Sequence, residues 1–340
     1  ADLGLVGAVL ARDLVVAGSR WPKGRRLSRA DLAVLATPDV IATARREVGP
    51  AGLTVLVPGP DDVHEDDAAL RLAGIVAGTG LTSRGPAESR VDLLAAAAGV
   101  VHVRISRLER LNRIDMLDVF TIYDGQVVAA GDVVASTKVA PHLVPAAVLE
   151  RASLVVGPSG LVTVAPLIAR RVGALVKESL HAPARERFEA SLRLKVEALG
   201  STLVGIDYVE DSVEAVALGL DRAVHSADVI LTAGSASTDP SDAFFGAIER
   251  LGGRVVRHGV PAHPGSMLWL ARLGSADILG LPTCGAYSKA TAADLVLPRL
   301  LTGERVSRGL VAGLGHGGVL SRSMRFRFAA YARQLEAPDG

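Results

Sequence analysis

Asp228-Val229-Ile230-Leu231-Thr232-Ala233-Gly234-Ser235-Ala236-Ser237-Thr238-Asp239-Pro240-Ser241-Asp242 passes from an apolar run into a loop of small and acidic residues. An amphipathic segment from Asp242 to Leu251 follows, so the stretch reads as strand, ligand loop and helix start. Gly234 lets the backbone come close to a ligand, and Ser235 and Ser237 offer hydroxyls. Asp242 stands at the N-cap of a helix whose free N–H groups favour an anion. Two alternatives stay open: Asp239 and Asp242 holding a hydrated Mg²⁺ between protein and phosphate, or an ordinary capped strand-to-helix turn.

The same rhythm extends on both sides. Val172 to Val176 and Thr202 to Ile206 read as buried strands, and Arg187 to Leu199 and Ser212 to Val224 as helices. Arg254 to Arg257 and Ala276 to Leu279 are expected strands, and Ser288 to Leu301 a helix. Strands alternating with helices of this length imply a mainly parallel sheet, whose ligands bind beyond the carboxyl ends of the strands. Four loops then matter: Asp207 to Asp211, Gly234 to Asp242, Val260 to Ser266 with Pro264-Gly265, and Gly280 to Gly285 with Pro282-Thr283. Asp211 stands at an N-cap position, while Cys284 reads better as a small apolar filler than as a nucleophile. Lys289 can reach a phosphate or face water. No Walker loop, dinucleotide glycine fingerprint, nucleophile elbow or paired-cysteine zinc site occurs.

The first half is less regular. Ser28-Arg29-Ala30-Asp31 forms a capping box, and His64-Glu65-Asp66-Asp67 reads as a charged helix start rather than a metal site. Ser83 to Arg90 is expected as a loop followed by an Ala-rich helix to Gly99, and Asp118 to Val128 as a hairpin turning at Asp124-Gly125. Pro141 to Pro166, with Gly157-Pro158 and Gly160, looks like an inter-domain connection.

Composition narrows the class. Of 340 residues 49% are hydrophobic and only 4% aromatic, so the core is built from Ala, Val and Leu, as in α/β proteins. A formal net charge of +1 gives no footprint for nucleic acid. One cysteine excludes an internal disulfide, and no stretch is long and apolar enough to span a bilayer, so a soluble cytoplasmic protein is expected.

Thr232 to Asp242 resembles the Thr-x-Gly-Gly-x-Ser-x-Asp-Pro-x-Asp signature of molybdopterin-binding domains, found in molybdenum cofactor biosynthesis proteins and gephyrin-like molybdate insertases. Gly259 to Met267 is similar to the family's Pro-Gly loop, and Gly280 to Leu301 to its Gly-Leu-Pro-Gly segment. Val6 to Leu14, His64 to Ala69 and Gly85 to Val91 resemble the N-terminal part of the insertase-like branch. The resemblance implies a three-layer α/β/α domain over 168–303, a mixed α+β region over 1–167 and a basic tail over 304–340. It further implies molybdopterin as ligand or substrate, with Mg²⁺, held by Asp211, Gly234, Ser235, Ser237, Pro264, Gly265, Pro282 and Thr283, with Asp239 and Asp242 as catalytic and metal residues. A homo-oligomer, dimer or trimer, is expected, acting either in adenylyl transfer or molybdate insertion or as a carrier or sensor without turnover. The chain departs from the signature at Ser235 and Thr283, where glycines are usual, and its tail after Leu314-Gly315-His316-Gly317-Gly318 has no cysteine. That tail is expected to pack on a partner subunit or stay mobile.

Overall fold

The computed structural model describes residues 3–40, 54–177, 182–281 and 290–333. The chain forms two compact units, one of Ala1–Ala96, Val103–Ile122 and Gly131–Thr163, the other of Ala97–His102, Tyr123–Ala130 and Val164–Gly340.

The second unit is built on a six-stranded sheet in the order Thr202–Tyr208, Arg171–Val176, Val229–Ala233, Ala276–Gly280, Trp269–Leu273, Arg254–His258. The first four strands are parallel, and Trp269–Leu273 runs antiparallel to both of its neighbours. Side chains alternate across the sheet because successive strand residues point to opposite faces. Val172, Ala174, Val176, Val229 and Leu231 share one core with Phe188, Leu192 and Val196 of the helix Ala182–Glu197 and with the helix Ala293–Leu301. Leu175 and Ile230 face the other way, onto Val216 and Leu220 of Val213–Ser226 and Phe244 and Ile248 of Ala243–Arg250. This is the expected three-layer α/β/α arrangement. Each large apolar side chain buried in it contributes about 1.5–3 kcal/mol.

Residues 304–333 extend this core. Val306, Val311, Leu314, Leu320 and Phe328 are buried in it, and the Tyr331 hydroxyl donates to Asp294 Oδ1 at 2.9 Å. Asp294 also accepts from Lys195 Nζ at 2.5 Å and from the Thr291 amide at 2.8 Å, so two helices and the tail meet at one buried carboxylate. Residues 304–333 are therefore held on their own domain rather than mobile.

In the first unit a four-stranded antiparallel sheet runs Leu81–Ala87, Arg90–Ala95, Val133–Val139, Leu117–Thr121. Against it packs the helix Glu65–Val76, capped by His64, whose Nδ1 accepts from the Asp66 amide. Glu65, Asp66 and Asp67 are bound separately by His142, the Ser89 amide and Arg26, which agrees with a charged helix start. The capping box at Ser28 also forms.

Several expected elements differ. The Ser83 to Arg90 loop is strand and tight turn, and the Ala-rich segment after it is the strand Arg90–Ala95, whose alternate residues Val91, Leu93 and Ala95 are buried. Helix propensity of alanine yields there to a pleated pattern with one apolar face. Asp118 to Val128 is not a hairpin: Leu117–Thr121 pairs with Val133–Val139, and Val127–Val128 with Gly99 and Val100. Pro141 to Pro166 contains the helix Ala146–Val156 between two short strands.

Candidate functional site

The parallel strands Arg171–Val176 and Val229–Ala233 end side by side, with Val176 opposite Ala233. Lys177 follows the first, and its amide donates to the Ala233 carbonyl at 3.2 Å. Its side chain is 3% exposed, and its ammonium lies 2.7 Å from Asp211 Oδ1 and 2.9 Å from Asp242 Oδ2. Burial works against this ammonium, but the hydrogen bonds to Asp211 and Asp242 outweigh it and hold the pKa above the ordinary lysine value. Lys177 is therefore a fixed cation.

Asp242 organises the loop. Its side chain is fully buried; Oδ1 accepts from the Phe244 amide at 3.0 Å as the N-cap of Ala243–Arg250, and Oδ2 accepts from the Ala236 amide at 2.7 Å as well as from Lys177. Asp211 is free to reach Lys177 because Ser212, not Asp211, caps the helix Val213–Ser226. Gly234 leaves the strand at φ 86°, a conformation glycine adopts without strain. Ser235 Oγ accepts from Trp269 Nε1 at 3.2 Å, and the Ser237 carbonyl meets His258 Nε2. Asp239 is exposed, and its carboxylate takes the Ser241 hydroxyl at 2.6 Å and amide at 2.8 Å, which hold its pKa below the usual range. The backbone amides of Ser235, Ser237 and Thr238 have no acceptor among the described residues. A clamped loop with three amides that have no acceptor among the described residues suits an anion.

The expected residues thus divide. Asp211, Gly234, Ser235, Ser237 and Asp242 come together around Lys177 and Trp269. Pro264 and Gly265 bond instead to Ala292 and Leu268, and a Cβ on Gly265 would lie 2.7 Å from the Ala292 amide nitrogen. Pro282 and Thr283, like Cys284 and Lys289, lie outside the described residues. Among the described residues no three His, Cys, Asp or Glu side chains gather to hold a metal. With Asp242 already taking three donors and Asp239 tied to Ser241, these residues do not fit a protein-held Mg²⁺. A cavity of about 550 Å³ in the first unit has Arg71, Glu150 and Ser153 as its only polar side chains and gathers no comparable set of donors.

Residues 175–302, from the strand that delivers Lys177 to the helix Ala293–Leu301, match the family described as "Probable molybdopterin binding domain". The matched residues lie within the second unit. Among solved structures, the chain is similar to a molybdopterin biosynthesis moea protein from Pyrococcus horikosii, at 14% identity over 71% of this chain and 79% of that one, with a TM-score of 0.32. It is also similar to a molybdenum cofactor biosynthesis protein B, at 13% identity over 45% and 99% with a TM-score of 0.29. A third is a molybdenum cofactor biosynthesis protein from Pyrococcus furiosus, at 14% identity over 58% and 71% with a TM-score of 0.25. No curated protein matches the chain.

Sequence reasoning missed three side chains that hold this loop. Lys177 ends a wholly apolar run, and a cation at the carboxyl end of a buried strand was the available signal. Trp269 begins a strand just after the Pro-Gly loop segment; the Gly274-Ser275 pair after Leu268 to Leu273 marks the hairpin to Ala276–Gly280. His258, at the end of its strand, had no local pattern to betray it.

Proposed function

We propose that the chain binds molybdopterin through its phosphate at the Gly234–Asp242 loop and acts in molybdenum cofactor biosynthesis. One observation carries this reading: the amides of Ser235, Ser237 and Thr238 have no acceptor among the described residues, in a loop that Asp242 fixes from beneath. In use, those amides and the Ser237 and Thr238 hydroxyls hold phosphate oxygens, while Lys177 keeps the buried Asp242 charge balanced so that the loop holds its shape.

A carrier without turnover is the second reading, and the state of Lys177 and Asp242 favours it. An ammonium held by two carboxylates is no nucleophile, and a carboxylate taking three donors is a poor base. Titration with molybdopterin tests the shared premise, using wild type, Asp242→Ala and the exposed-site variant Thr238→Glu. Saturable binding by wild type that weakens in both variants supports it, and no binding by wild type refutes it. Release of AMP or incorporation of molybdate then marks turnover; binding without either marks a carrier.

A further inference from the structure

Four arginines line one concavity elsewhere in the second unit. Arg254 and Arg272 stand directly opposite each other across two antiparallel strands, and Arg305 and Arg308 come from the segment that follows the helix Ala293–Leu301. With Val256 and Ser307 they line a cavity of about 420 Å³. Arg254 begins its strand, whose far end, His258, meets Ser237, so the cavity lies at the opposite end of the sheet from the Gly234–Asp242 loop.

Two of the four are held by the fold. Arg272 Nε donates to Asp277 at 2.9 Å, and Arg308 Nε donates to the Val256 carbonyl at 2.8 Å. Arg254 and Arg305 have no acceptor among the described residues. Among the described residues Asp277 is the one carboxylate paired with the group, so Arg254, Arg305 and Arg308 have no carboxylate partner there. Like charges directly opposite on a sheet are destabilising, and guanidinium forks match phosphate oxygens in pairs. We propose that this cavity is a second ligand site, for a small phosphate-bearing anion. Its volume takes one small molecule, and the chain's near-neutral charge supplies no continuing track for a nucleic acid.

The test is calorimetric titration of inorganic diphosphate into the full chain at ionic strength matched with chloride. Wild type, an Arg254→Gln/Arg305→Gln double variant and Thr238→Glu are compared. The expected result is saturable binding that falls by at least about tenfold in the arginine variant and persists in Thr238→Glu. Without diphosphate the arginine variant melts no lower than wild type, because it loses two like charges and no internal bond. Equal binding by the arginine variant, no saturable binding by wild type, loss in Thr238→Glu alone, or a lowered melting temperature accompanying lost binding would each overturn the proposal.

Discussion

Replacing Asp242 by alanine removes three bonds at once, and the structure sets the size of the loss. The Phe244 N-cap bond is worth about 1 kcal/mol. The pair with Lys177 is buried on both sides, at 3% and 0% side-chain exposure, and breaking such a pair costs about 3–5 kcal/mol because a charge is left without its partner. Asp211, 62% exposed, returns at most about 1 kcal/mol to the stranded ammonium. The sum approaches the whole stability of many domains, about 5–15 kcal/mol. Removing the cation as well relieves the main term. Lys177→Met/Asp242→Ala is therefore expected to be more stable than Asp242→Ala alone, with a coupling of about 2 kcal/mol. The chain has two tryptophans, Trp269 buried in this domain and Trp21 in the other unit, so urea unfolding followed by fluorescence in a Trp21→Phe background reports on the domain alone. Additivity of the two substitutions within about 0.5 kcal/mol would refute the paired-charge account.

Gly265→Ala places a Cβ 2.7 Å from the Ala292 amide nitrogen at φ 104°, and a loss of about 1–3 kcal/mol is expected in thermal unfolding. Tyr331→Phe removes one bond from the buried Asp294 and should cost about 1–2 kcal/mol, while truncation after residue 303 should leave the second unit open to proteolysis. The Tyr208 phenol is pushed up to about 12 by burial and by its hydrogen bond to Glu189. The folded value lies above the ordinary 10.0, so its contribution to stability is full below pH 10.0 and is lost as pH rises towards about 12. Phenolate absorbance should follow that window, and Glu189→Gln should move the midpoint downward.

The second domain was legible because parallel strands buried on both faces announce themselves as apolar runs, and because Asp242 capped its helix as its position implied. The first unit was harder to read. Its strand Arg90–Ala95 runs into an alanine stretch that favours helix in isolation, and long-range pairing with Val133–Val139 decides its state. Lys177 was invisible as a site residue because its role depends on Asp211 and Asp242, 34 and 65 positions away along the chain, meeting at adjacent strand ends. The tail misled for a related reason. It was expected to pack on a partner subunit or stay mobile, but Phe328 and Tyr331 anchor it to the core.

Titration of molybdopterin against wild type and Thr238→Glu tests the central claim most directly. Thr238 is exposed, so the substitution leaves the fold intact and places a carboxylate beside the proposed phosphate position. The account predicts saturable binding by wild type and a loss of at least about tenfold in the variant. Equal binding by both proteins, or none by wild type, would contradict it.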